Sequence, residues 1–236
     1  MIKRIARTAG FSGLLAALLL TLLQSFWVAP LILQAETYES AAPAAEHHNH
    51  DGEAAVAHEH AAGHEHSDEA WSPEDGWQRI LSTTGGNLVV AVGFALILAA
   101  LYSLREPNRV ATGALWGLAG FSVFCLAPTL GLPPELPGTA AADLGQRQNW
   151  WIGTAAATAV GLALVVFARH WLFKALGMVL LVVPHVIGAP QPDVHQSLAP
   201  EALETQFKVA SWATNAAFWV ALGLLSAWLY RRSSQA

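Results

Sequence analysis

Long runs of apolar residues without a single Asp, Glu, Lys or Arg constrain this chain more than any other feature. Six stretches stand out: Thr8 to Leu33, Asn87 to Leu104, Ala111 to Leu130, Trp150 to Ala168, Trp171 to Gly188 and Val209 to Tyr230, the fifth holding only Lys174 near its start. A bilayer core takes about 20 apolar residues per helix, and lipid leaves no partner for open backbone, so each run predicts a transmembrane helix. Charged residues make up 12% of the chain, about half the share in a soluble domain. The expected fold is an all-α, polytopic integral membrane protein with six transmembrane helices. Residues 1–33 hold the N-terminus and first helix, 34–82 an extracytoplasmic loop rich in His and acid, and 83–236 a five-helix transmembrane domain. Lys3, Arg4 and Arg7 before the first run also fit a signal peptide, but the run exceeds 20 residues and no Ala-x-Ala site follows, which favours a retained helix.

Basic residues set the orientation. With the N-terminus inside, Lys3, Arg4, Arg7, Arg105, Arg109, Arg169, Lys174, Arg231 and Arg232 are cytoplasmic, and only Arg79, Arg147 and Lys208 are external. Both termini are therefore expected in the cytoplasm, in a multi-pass protein of the cytoplasmic (inner) membrane. Trp27, Trp150, Trp151, Trp171, Trp228 and Tyr230 fall near span ends, as interfacial aromatics do. Gly113 and Gly117, and the set Gly153, Ala157 and Gly161, recur every four residues and predict close helix contacts. The lone Cys125 excludes disulfides and a Cys-based zinc site.

Eleven of the seventeen acidic residues lie between Glu36 and Asp75, and seven of the ten histidines, His47, His48, His50, His58, His60, His64 and His66, fall in one tract there. So few large apolar residues predict a segment disordered without a ligand. Imidazoles at this density bind Co, Ni, Zn or Cu. A flexible tract imposes no geometry, so it is expected to collect ions rather than select them. A zincin site is excluded, because Ala62 stands where His-Glu-x-x-His needs its second histidine. Ionisable residues deep in the spans are almost absent, and the exception is His185, beside Pro184 and ahead of Gly188 and Pro190. A proline-loosened helix next to a polar side chain is a usual way to build an ion site. Asp193 and His195 follow as further external ligands. Glu36 and Glu39 share a face if the first helix continues. Glu135 is the only charge in the proline-rich turn Leu130–Gly138.

Several motifs carry a resemblance: Pro30-Leu-Ile-Leu-Gln-Ala-Glu-Thr-Tyr-Glu39, Leu130-Gly-Leu-Pro-Pro-Glu-Leu-Pro-Gly138, Arg147-Gln-Asn-Trp-Trp151 and Pro184-His-Val-Ile-Gly-Ala-Pro-Gln-Pro192. In this order they resemble CbtA, a family of cobalt transporter subunits. The resemblance implies cobalt uptake for cobalamin biosynthesis together with a small, single-helix, His-bearing subunit of the CbtB type. It points to Glu36, Glu39, Glu135, Arg147, Asn149, His185 and Pro190. Two features depart from the family: it is commonly described with five spans, and this chain has its own His-rich loop.

The expected function is a permease subunit for a divalent transition metal, with the metal sites at the tract histidines, His185 and His195. The ion pathway is expected along Glu36, Glu39, Glu135, Asn149 and Asp193. A membrane-bound metal sensor or storage protein, or a nickel or zinc transporter, is the alternative. No enzyme is expected, since no span offers a Ser-His or two-carboxylate arrangement. No Walker motif is present, no tightly bound cofactor is expected beyond the carried or tract-bound metal, and the partners are the lipid bilayer, the small subunit or a second copy, not nucleic acid. The orientation is testable. A cysteine at Ala55 should react with an impermeant thiol reagent in intact cells and one at Ser234 should not; the reverse pattern would invert the topology.

Overall fold

The computed structural model describes residues 1–41, 73 and 76–233. The tract histidines, His47 to His66, lie outside the described residues. Among the described residues the chain is helical, without strands. Helix α1 is Ile2–Ala41, α2 is Trp77–Leu104, α3 is Val110–Gly131, α4 is Leu144–Phe167, α5 is Trp171–Ile187 and α6 is Glu201–Arg232. Five are long and apolar enough to cross a membrane, and α5 is a shorter apolar helix of 17 residues. Large apolar side chains cover the outer faces, among them Leu14, Leu18 and Leu22 of α1, Val89 and Ile97 of α2, and Leu172, Leu176, Val179 and Val183 of α5. Exposed apolar surface on this scale is tolerable only in lipid. The protein is a polytopic α-helical membrane protein.

Burial inside the bundle falls on small residues. Ala9, Ala16 and Ala17 of α1 meet Ala91, Ala95 and Ala99 of α2, with Phe218, Trp219 and Leu222 of α6 in the same core. Lipid tails are as apolar as leucine, so helices associate through close backbone approach and interhelical hydrogen bonds. Gly113 and Gly117 lie against the backbone of α6 at Gly223 and Trp219, and Gly161 lies against Gly177 of α5. Gly153, on the expected small-residue face, meets nothing. Polar groups tie further pairs: Ser226 Oγ donates to Ser12 Oγ at 2.9 Å, Asn87 Nδ2 to Thr21 Oγ1 at 3.0 Å and Gln24 Oε1 at 2.7 Å, and Tyr102 Oη to the Gly223 carbonyl at 3.3 Å.

Two π-turns interrupt the helices, Gln24–Val28 in α1 and Ser122–Leu126 in α3. Each ends two residues before a proline, Pro30 or Pro128. A proline ring collides with the carbonyl four residues back and gives it no N–H. Widening the preceding turn lets the helix continue.

The helices outrun their apolar stretches. Helix α1 reaches Ala41 and α2 starts at Trp77, so the segment expected as one loop over 34–82 is helical at both described flanks. Contacts beyond the apolar core explain this: Arg79 grips Glu36 through two hydrogen bonds of 2.6 and 3.2 Å. Val28 and Ala35 pack in a cluster with Leu136, Ala199, Leu203 and Phe207.

Arg4 donates to the Tyr230 carbonyl at 2.7 Å and pairs with Glu106 at 2.8 Å, while Arg231 donates to the Pro107 carbonyl at 2.8 Å and to that of Asn108. The N-terminus, the α2–α3 connection and the end of α6 therefore meet at one end. Phe167 joins them, with Arg105 over its ring at 4.6 Å. At the opposite end His185 meets Trp150, and Gly131 packs on Trp150 and Ala189. Helix α5 thus runs alongside α4 between the same two ends. Gly117→Val, which drives a side chain into the α6 backbone, should destabilise the purified protein by about 1–3 kcal/mol or more. Gly153→Ala should leave thermal unfolding unchanged or slightly raised.

Candidate functional site between the two proline-rich loops

At the end opposite Arg4, two connections made irregular by proline face each other. The first follows Gly131 through Pro133, Pro134 and Pro137, and the second runs from Gly188 through Pro190 and Pro192 to Pro200. Proline blocks helix and strand ladders alike, so the loops hold each other by a few bonds. Ala140 N–H donates to the Gln196 carbonyl at 2.8 Å, Leu198 N–H to that of Gly138 at 3.3 Å, and Thr139 and Ser197 form an isolated bridge. Gly138 sits at φ 76° with Leu198 packed against it, a conformation that disfavours side chains. Asp143 then caps α4, its Oδ1 accepting from Gln146 N–H at 2.9 Å.

Between the loops is a cavity of about 250 Å³, and the first turns of α4 and α6 complete its wall. Glu135 and Arg147 pair at 2.9 Å, and Glu204 and Lys208 at 3.2 Å. His195, Gln196, Ser197 and Thr139 add neutral or titratable groups. Both pairs keep about a fifth to a third of their side chains accessible, so solvent screens them and each stabilises by about 0–1 kcal/mol. Carboxylates held this weakly are free to exchange partners with an incoming cation.

The structure brings Glu135 and His195 together in this wall. Asp193 and Asn149 are exposed and lie outside it. Glu36 is engaged by Arg79, and Glu39 is exposed one turn on. His185 is half-buried at the end of α5, its ring edge-on to Trp150 at 6.2 Å between centroids. Among the described residues no three His, Cys, Asp or Glu side chains converge to hold a metal ion. The Glu204–Lys208 pair was missed from the sequence, where two opposite charges four apart at a helix start look like surface residues.

No curated protein and no solved structure matches the chain. A family model described as "Probable cobalt transporter subunit (CbtA)" matches residues 2–231. The match takes in all six helices and both proline-rich loops that frame the cavity, and the chain belongs to the CbtA family.

Proposed function

We propose that the protein is the membrane-spanning subunit of a transporter that brings Co²⁺ into the cell across the cytoplasmic membrane for cobalamin biosynthesis. The cavity between the proline-rich loops supports this reading most directly. It lies at the end opposite the cluster of Arg4, Arg105 and Arg231, and basic residues collect on the cytoplasmic side. On this reading both termini are cytoplasmic, α5 is the sixth crossing and the cavity opens outward. At 17 residues α5 is about 25 Å long, a few ångströms short of the usual core, which local thinning of the bilayer accommodates.

Near the end of α1, Ala35 packs with Leu136 and Leu203, which flank the cavity wall in sequence, and Glu36 pairs with Arg79 near the start of α2. The tract from His47 to His66 lies between these two helices in the sequence. Tethered imidazoles raise the local concentration of Co²⁺, and of Ni²⁺, Zn²⁺ or Cu²⁺ when these are present. Glu135, Glu204 and His195 take the ion from the tract while Arg147 and Lys208 turn aside. A small His-bearing subunit of the CbtB type would share this delivery.

Radioactive cobalt uptake should depend on the gene, with nickel and zinc as weaker competitors; equal accumulation with and without it would end the transport reading. Deleting 47–66 should raise half-saturation by about tenfold or more, as expected from a lost effective concentration, with maximal rate unchanged. Loss of uptake at saturating cobalt, with normal protein in the membrane, would contradict a collecting role for the tract.

A further inference from the structure

Buried polar atoms are almost always hydrogen-bonded, because an unpartnered one has lost its water and gained nothing. Among the described residues five buried side-chain atoms have no hydrogen-bond partner, and three of them, Trp150 Nε1, Thr154 Oγ1 and Thr158 Oγ1, follow one another along α4 at intervals of four. Thr154 is 1% exposed and Thr158 3%. Intervals of four put all three on one helix face. Gly161 continues that face and is pressed against Gly177 of α5. The orphaned atoms therefore lie on the face that α4 turns toward α5 at Gly161.

The glycine contact also fixes the register. Thr154 precedes Gly161 by seven residues and Pro184 follows Gly177 by seven, so in this antiparallel pair Thr154 is level with Pro184 and Thr158 with Leu180. Pro184 is buried inside α5 and has no N–H for the Leu180 carbonyl. His185 comes next and meets Trp150. One short stretch of seam thus holds an imidazole, two hydroxyls, a backbone carbonyl released by proline and an indole N–H.

These groups define the occupant. Hydroxyl and carbonyl oxygens can ligate a cation, and imidazole prefers a transition metal over magnesium or calcium. Indole is a donor only, so its partner must be an acceptor oxygen. A metal ion that keeps part of its water shell satisfies both demands. We infer that the α4–α5 seam around Pro184 is an intramembrane site for a partly hydrated divalent transition-metal ion, with His185 as nitrogen ligand and Thr154, Thr158 and the Leu180 carbonyl as oxygen ligands. The inference rests on the proposed function only in naming the ion as cargo; binding does not require transport. Trp150 packs under Gly131, which lines the cavity, so the seam begins at the cavity floor. A neutral site with one nitrogen holds the ion loosely enough to release it.

The test uses the full chain with alanine at each of the seven tract histidines, purified and titrated with Co²⁺ alone by calorimetry and visible absorption. It should bind Co²⁺ at the seam in addition to any held by Glu135, Glu204 and His195 in the cavity, and the seam's part of the spectrum should be lost when His185→Ala is introduced. Thr154→Val/Thr158→Val keeps side-chain shape and removes two unsatisfied hydroxyls, so it should weaken binding and lower maximal cobalt uptake by about tenfold while thermal stability stays level or rises. No binding to the tract-substituted chain, or unchanged binding in both seam variants, would overturn the proposal. So would loss of binding together with thermal stability in the valine variant, which would mark the threonines as packing residues. If the seam binds cobalt as described but uptake does not depend on the gene, the transport reading fails and the site stands. If uptake depends on the gene and both seam variants bind cobalt and transport it normally, the seam fails and the transport reading stands.

Discussion

Gly223 is the point at which three helices meet, and the bundle depends on how closely they approach there. Its backbone lies against Gly113 and Gly117 of α3, and its carbonyl accepts the Tyr102 hydroxyl of α2. Between helices surrounded by lipid the hydrophobic effect supplies little attraction, so dispersion and polar bonds must do so, and both fall steeply with distance. Glycines at the crossing bring α3 and α6 close enough for both. Around this point Phe94 and Phe124 pack on Trp219, the latter at 5.7 Å and nearly parallel. Helix α6 thereby becomes the element against which α1, α2 and α3 are all placed.

The α4–α5 hairpin is attached differently. Its own contact runs through Gly161 and Gly177, and it joins the bundle through α3, where Phe124 approaches Trp151 and Trp116 stacks near Phe167 at 6.0 Å. The hairpin itself carries three of the unpartnered buried polar atoms among the described residues. Unsatisfied groups are a feature of elements drawn from the less stable part of a fold, where ligands bind and segments move. The cavity sits directly above, clasped by the bonds between the two proline-rich loops.

Prolines have three separate effects here. Pro30 and Pro128 are absorbed by π-turns, so their helices continue. Pro133, Pro134, Pro190 and Pro192 keep the two facing loops irregular and leave room for a cavity between them. Pro184 stays inside α5 without such a turn, and the Leu180 carbonyl loses its donor. The sequence marks all of these residues alike. Whether a proline ends a helix, widens it or frees a carbonyl depends on what the neighbouring helices offer the displaced groups.

Membrane character, the positions of the helices and the family were legible in the amino-acid sequence, because charge-free runs of bilayer length admit few other folds and the Pro-, Glu- and Trp-bearing motifs are specific. Glu135 and His195 were also visible as isolated polar residues in unusual loops. Their common wall was not, since the Thr139–Ser197 bridge joins segments nearly sixty residues apart that no local pattern connects. The extension of α1 to Ala41 was equally hidden: it depends on Arg79 reaching Glu36, a contact beyond the apolar stretches. Thr154 and Thr158 look like ordinary small residues of a span, and only the register set by Gly161 against Gly177 brings them level with Pro184 and Leu180. Hydropathy and local chemistry determined which segments become helices. The close backbone contacts at glycine decided which faces meet and which polar groups remain without partners.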